Sequence, residues 1–171
     1  MRGFRDREKP KVITFKYVRD KFNNIIVPRP RVEIVLRNGE KVFRLVMLVD
    51  SGADTSFIPL EVAEILELKL GKTHTSRSAS GPFETAQSQC HAALAKGISV
   101  ISLGDLPLTI PTQKIDDQNV LSYALLGRRP FFNLFDVTFR ENSLEIILRK
   151  PKDPIPKTIK QPKIIEEGQK I

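Results

Sequence analysis

Two apolar runs joined by Asn38-Gly39 constrain this chain more than any other feature. The runs Arg31 to Arg37 and Lys41 to Val49 are rich in the Val, Ile, Leu and Phe of strands. Asn38 and Gly39 both accept the positive φ of a two-residue turn, so the segment predicts a tight hairpin. The second run loses its alternation after Arg44 and is wholly apolar from Leu45 to Val49. That pattern predicts a strand passing into a core covered on both faces. At its end stands Asp50, a carboxylate placed against a core, where desolvation must be offset by partners or by protonation.

The rest of the chain reads as further short strands. Val12 to Val18 mixes apolar and basic residues in near alternation and predicts a strand, with Arg29-Pro30 breaking the chain before the hairpin. Pro59 opens a short amphipathic helix through Leu68. The polar stretch from Gly71 to Gln89 centres on Ser80-Gly81-Pro82 and predicts a surface hairpin or loop. Ala92 to Leu103 and Leu106 to Thr112 read as two strands turning at Gly104-Asp105. The apolar run Tyr123 to Leu126 stops at Gly127, and a helical turn is expected through Phe131, Phe132 and Leu134. A last hairpin joins Asp136–Phe139 to Ser143–Leu148. The expected fold is all-β, a closed barrel or sandwich with one or two short helices. The boundaries follow: a basic arm with one strand over 1–30, a folded domain over 31–149, and a basic tail over 150–171 containing Pro151, Pro154, Pro156 and Pro162.

Charge separates the ends from the middle. Residues 1–31 carry ten Lys/Arg against three Asp/Glu, residues 149–171 seven against three, and residues 32–148 eleven against fourteen. Basic ends attract polyanions without a shaped groove, so nucleic acid is a conceivable partner, but no aromatic interleaving or recognition motif accompanies the charge. Solvated arms are the favoured reading. The longest apolar run is five residues, far short of the ~20 that cross a bilayer, so no membrane span is expected. The charged amino terminus lacks the apolar stretch of a secretory signal, and the single Cys90 fits a reducing compartment, so a cytoplasmic location is expected.

Chemistry concentrates at Asp50-Ser51-Gly52-Ala53. An Asp-Ser/Thr-Gly tripeptide arises by chance in about one chain of this length in fifteen, and an Asp there can simply cap its own turn. Context makes it informative, since a second apolar run ends at Gly127 and a glycine-bearing polar loop lies between the two. Cys90, His91 and His74 lack metal-ligand spacing, and neither histidine has a serine elbow near it, so neither a metal or cofactor nor a serine or cysteine hydrolase is expected. Phe131, Phe132 and Phe135 read as core.

The order of these parts resembles the retropepsin-like aspartic peptidases, over roughly residues 31–149. In that family a hydrophobic strand delivers Asp-Ser/Thr-Gly-Ala, a hairpin flap folds over the cleft, and two hydrophobic residues plus Gly precede a short helix. Here these are Asp50-Ser51-Gly52-Ala53, the segment around Ser80-Gly81-Pro82, and Leu125-Leu126-Gly127-Arg128. Asp54 and Arg128 match the family's ion pair that braces the active-site loop. Arg129 stands where the family usually has Asp or Asn, the segment Pro59 to Leu68 adds a helix, and the flap has one glycine rather than several.

The resemblance implies an aspartic endopeptidase. Only one Asp-Ser/Thr-Gly occurs in the chain, which implies a homodimer, because this hydrolysis needs two carboxylates sharing a proton across a water. Asp50 would then be catalytic; Ser51, Gly52, Ala53, Asp54, Leu126, Gly127 and Arg128 would support its loop; Ser80, Gly81 and Pro82 would form the flap. The expected partners are a second copy and an extended peptide or protein substrate, with Val12–Val18 or Ser143–Leu148 at the interface. The alternatives are a peptide-binding dimer of the same fold that does not cut, and a polyanion-binding protein working through the basic ends.

Overall fold

A computed structural model describes residues 12–22, 25–78, 81–115 and 120–151. In chain order the strands are β1 (Val12–Lys16), β2 (Val18–Phe22), β3 (Ile25–Arg29), β4 (Arg31–Asn38), β5 (Lys41–Val49), β6 (Ser56–Phe57), β7 (Thr73–Ser78), β8 (Gly81–Lys96), β9 (Ser99–Pro111), β10 (Leu125–Leu126), β11 (Asp136–Arg140) and β12 (Glu145–Arg149). Helix α1 (Leu60–Ile65) follows β6, a 3-10 turn (Val120–Tyr123) precedes β10, and helix α2 (Phe131–Leu134) precedes β11.

The largest sheet has the order β4-β5-β10-β6-β9-β8-β7, and β4 also pairs with β8. That extra pairing closes six strands into a barrel and leaves β7 as a flange on β8. Closure removes sheet edges, and the strands fill the interior by alternation. Val32, Ile34 and Leu36 of β4, Leu45, Met47 and Val49 of β5, Leu94 of β8, and Leu106, Leu108 and Ile110 of β9 are all buried. Ile58 plugs the barrel between β6 and α1, with Val62, Ala63 and Leu66 beside it. Phe131 and Phe135 are buried, their rings 5.5 Å apart. The fold is therefore mostly β with few short helices, as the strand pattern implied.

Four expectations need correction. The run Leu45 to Val49 is not covered on both faces: Val46 remains 43% exposed and Leu48 is half-buried, so β5 alternates to its end despite its apolar sequence. The strand expected over Val12–Val18 breaks at Tyr17, and Val18–Phe22 turns back on Ile25–Arg29 as a separate two-stranded sheet. The turn between β8 and β9 falls at Gly97-Ile98, where Gly97 has φ +57°. Gly104, at φ +76°, instead sits inside β9: Gly104 pairs with Ala92 and Ser102 with Ala93, leaving Leu103 as the extra residue of a bulge. Finally, the helix after Pro59 ends at Ile65, and Glu67 takes a positive φ of 52° that helix continuation forbids.

The closing hairpin β11–β12 forms as expected, with β1 added on the other edge of β12. Both edges of β12 are thus used inside the chain, so Glu145–Arg149 has no edge left to extend a ladder into a partner. Among the described residues no helix is long and apolar enough to cross a membrane.

Candidate active site

The site is made where two distant loops cross. Strand β10 lies parallel to β5, with Leu125 opposite Leu48 and Leu126 opposite Val49, and antiparallel to β6 on its other side. It thus slots between two strands joined by the loop Asp50–Thr55. Backbone hydrogen bonds tie that loop to the residues after β10. Asp50 N donates to Leu126 O at 3.0 Å, Arg128 N to Ala53 O at 2.8 Å, and Arg129 N to Asp54 O at 3.2 Å. Gly127 N donates to Ser56 Oγ at 3.0 Å, a fully buried bond.

Gly127 is required by contact rather than by φ. A Cβ there would stand 2.4 Å from the carbonyl carbon and oxygen of Thr55 and 2.9 Å from Ser56 N, all backbone atoms that cannot swing aside. Asp50 is half-buried, and its Oδ1 accepts the Gly52 N–H at 2.8 Å. This is the bond a turn-capping aspartate makes. What sets Asp50 apart is its place at the crossing, held by the backbone on both sides while Ser51 and Gly52 beyond it are exposed.

The sequence also singled out Asp54 and Arg128, which the structure brings to 3.7 Å, with side chains 79% and 60% exposed. A pair so exposed contributes little in high dielectric. The brace on this loop is the backbone ladder Ala53–Arg128 and Asp54–Arg129.

The segment around Ser80-Gly81-Pro82 is a hairpin, β7 pairing β8 from Thr73 opposite Ala86 to Ser78 opposite Gly81. Ser80 itself lies outside the described residues. Gly81 has φ +117°, a conformation side chains rarely adopt. Below it opens a cleft of about 710 Å³ whose lining includes Pro82 and Phe83 from the hairpin, Phe57, Tyr123, and Leu48 and Leu125 from the floor. The Phe57 and Phe83 rings meet edge to face at 6.4 Å, linking hairpin to barrel. The cleft runs beside Asp50 rather than around it: Leu48 and Leu125 precede Asp50 and Gly127 by two positions. This explains the incomplete burial of Leu48 in β5, because Leu48 faces the cleft.

Several contributors had no signal in the sequence. Ser56 reads as one more loop hydroxyl, yet it is fully buried and accepts the Gly127 amide. Thr55 Oγ1 and Thr109 Oγ1 lie 2.7 Å apart, and Gln87 Nε2 donates to Thr109 Oγ1 at 3.1 Å, joining the Asp50 loop to β9 and β8. Arg31, 3% exposed, bonds Asp20 and the carbonyls of Val46 and Ser122.

Two other clusters are chemically quieter. His91 lies between Ser102, 3.3 Å from its Nε2, and Asp105, 3.6 Å from its Nδ1. The second distance is outside hydrogen-bond range and both His91 and Asp105 are more than half exposed, so this is a solvated cross-strand cluster. Burial pushes the Cys90 thiol up to about 11, which keeps it protonated near neutrality and poor as a nucleophile or ligand. Among the described residues no three His, Cys, Asp or Glu side chains gather as a metal set.

A protein-family profile described as aspartyl protease matches residues 32–129, more than half of the chain. The fold resembles the crystal structure of a retropepsin-like aspartic protease from Rickettsia conorii, at 17% identity and a TM-score of 0.57, covering 82% of this chain and all of that one. EIAV protease in complex with the inhibitor HBY-793 aligns at 19% identity with a TM-score of 0.38, covering 62% of this chain and 88% of that chain. No curated protein matches the sequence.

Proposed function

As the chain belongs to the aspartyl protease family, with a retropepsin-like fold, we propose that it is an endopeptidase whose catalytic dyad is Asp50 from each of two identical copies. The observation that carries this reading is Asp50 at the loop crossing, its amide bonded to Leu126 O and its carboxylate to Gly52 N–H. One such loop per chain makes half a site. A twofold axis beside Asp50 brings the second carboxylate to the first, an isologous contact that also makes the cleft symmetric.

Two carboxylates that close share one proton, since both cannot ionise. The ionised one takes a proton from a water held between them, and that water's oxygen adds to the scissile carbonyl carbon. The protonated one gives its proton to the carbonyl oxygen, so charge does not accumulate on the tetrahedral intermediate. Collapse re-forms the carbonyl, the C–N bond breaks, and the leaving nitrogen is protonated from the dyad. The Gly127 crossing and the Ser56 bond keep the two loops in register. Asp54 and Arg128 lie at the loop's rim, Ser51 and Ala53 within the loop, and the hairpin carrying Ser80, Gly81 and Pro82 acts as a flap over an extended peptide. The apolar lining, Leu48 and Leu125 in the floor with Phe57 beside them and Phe83 from the hairpin, favours apolar side chains next to the cleaved bond. Residues 31–149 form the peptidase unit on this reading.

The test is cleavage of a diverse peptide library by the wild type and by Asp50→Asn from acidic to neutral pH. Turnover by the wild type alone, with both proteins folded and dimeric, is the expected result. Turnover retained in Asp50→Asn overturns the dyad. Peptide binding without turnover in either protein replaces it with a binding dimer.

A further inference from the structure

The hairpin β2–β3 stands apart from the barrel. It forms its own two-stranded sheet, from Val18 opposite Arg29 to Phe22 opposite Ile25. A lone two-stranded hairpin is marginal in water, so its placement needs another source. Part of that source is at its base. The Arg31 guanidinium, 3% exposed, donates through Nε to Asp20 Oδ2 at 2.7 Å and through Nη2 to Ser122 O at 2.6 Å. Arg29 Nε lies 3.7 Å from the same Asp20 oxygen. A side chain buried to this degree, with a carboxylate and carbonyl partners, fixes the direction in which the hairpin leaves the body.

That direction is set next to Asp50. Val49 N donates to Pro30 O at 2.8 Å, so the residue joining the hairpin to β4 is bonded to the residue before Asp50. Arg29 itself lines the cleft. Farther out, Ile25 and Ile26 are 64% and 61% exposed on consecutive positions, hence on opposite faces of the ribbon. Val46, whose carbonyl faces Arg31 Nη1 at 3.4 Å, is 43% exposed, and Leu121, beside Ser122, is 45% exposed. Ile25, on the face that carries Asp20, and Ile26, on the opposite face, are both left uncovered by this chain, and two adjacent bare isoleucines on one ribbon are not explained as scattered surface residues.

We infer that β2–β3 is an arm that packs on the second copy of this chain, with Ile25 and Ile26 buried between the protomers. The inference rests on the Asp50 dyad reading, which puts a twofold axis beside Asp50 and so puts the second copy next to whatever leaves the body at Pro30. The arm carries the interface outward from the catalytic centre, where β12, with both edges occupied, has no ladder to extend. The Arg31–Asp20 anchor is then a device for aiming the arm, and through Pro30 it couples dimer contacts to the strand that ends at Asp50.

The experiment measures the dimer dissociation constant of the full chain by sedimentation equilibrium, for wild type, Asp50→Asn, the double variant Ile25→Lys/Ile26→Lys, and Ile98→Lys. Ile98 is fully exposed at the β8–β9 turn and serves as the control for adding a lysine at an apolar tip. Four isoleucines per dimer leave contact in the double variant, so a rise of about 100-fold or more is expected, with Ile98→Lys unchanged. Peptide cleavage per chain by the double variant then falls with dilution where the wild type stays constant. A dissociation constant within about threefold of wild type in the double variant overturns the arm. Because the constant is read without turnover, cleavage that survives Asp50→Asn overturns the dyad and leaves the arm to be judged on association. A wild type that is monomeric at all concentrations overturns both. Hydrogen exchange tests the arm without mutation: the Ile25–Val27 amides slow on dimerisation, and unchanged rates overturn it.

Discussion

Replacing Gly127 by Ala tests the loop crossing most directly. The added Cβ would lie 2.4 Å from two backbone atoms of Thr55, where ordinary contacts begin at 3.4 Å, so the two loops must part by about 1 Å. The bonds there, Gly127 N to Ser56 Oγ and Arg128 N to Ala53 O, begin at 3.0 and 2.8 Å and have no such slack. Overpacking a core contact costs about 1–3 kcal/mol and each weakened hydrogen bond about 1 kcal/mol more, for a total of about 3–5 kcal/mol. With a urea slope near 2 kcal/mol/M, the unfolding midpoint falls by roughly 1.5–2.5 M at fixed protein concentration. Peptide cleavage drops about 100-fold even where the variant is folded, since a 1 Å displacement of a reacting group has that effect. Gly39→Ala is the comparison: its φ is +56° but nothing lies within 4 Å, so only the backbone term of about 1–2 kcal/mol applies, without loss of cleavage. A stability loss under about 1 kcal/mol in Gly127→Ala would refute the claim that the crossing has no room.

Three further outcomes are expected. Arg31→Gln removes one member of a buried ion pair and two carbonyl contacts, and costs about 3–5 kcal/mol in urea unfolding; a loss under 1 kcal/mol would show Asp20 is well solvated without it. Asp54→Asn changes stability by less than about 1 kcal/mol, because the pair with Arg128 is wide and exposed while the backbone brace remains. The Cys90 thiol is raised from 9.0 to about 11 by burial, so its contribution is present in full below pH 9 and is lost as pH rises through 11. Unfolding free energies of wild type and Cys90→Ala should therefore run parallel up to pH 9 and converge or cross above it; parallel curves to pH 11 would contradict a buried thiol.

What could be read in the sequence was what leaves a local pattern. Asn38-Gly39 between two β-rich runs dictates its own hairpin, and an Asp at the end of an apolar strand is conspicuous wherever it occurs. Leu125-Leu126-Gly127 became informative only in combination with that Asp. Other features were illegible for physical reasons. Glycine serves both turns and bulges, so nothing local told Gly97, which turns the chain, from Gly104, which bulges it. The run Leu45 to Val49 looked buried on both faces because a strand facing a substrate-sized cleft also needs apolar side chains, as Leu48 shows. Ser56 owes its importance to a partner 71 residues away, a separation no window spans. Arg31 read as one more charge in a basic arm, although burial makes it the anchor of the hairpin Val18–Phe22 and Ile25–Arg29, of which the sequence, read as one strand ending at Val18, held no trace.

The slot occupied by β10 imposes an order of events on synthesis. Strands β5 and β6 flank a gap that stays open until Leu125 and Leu126 arrive, and the bonds at Gly127, Arg128 and Arg129 follow them. Contacts this distant in sequence form late, after the loop-closure entropy has been met by the rest of the barrel. A nascent chain ending before residue 125 therefore carries Asp50 on an unsupported loop. On the dyad reading the peptidase stays silent on the ribosome until residues 125–129 have been made, and the order of strands in the sheet serves as the timer.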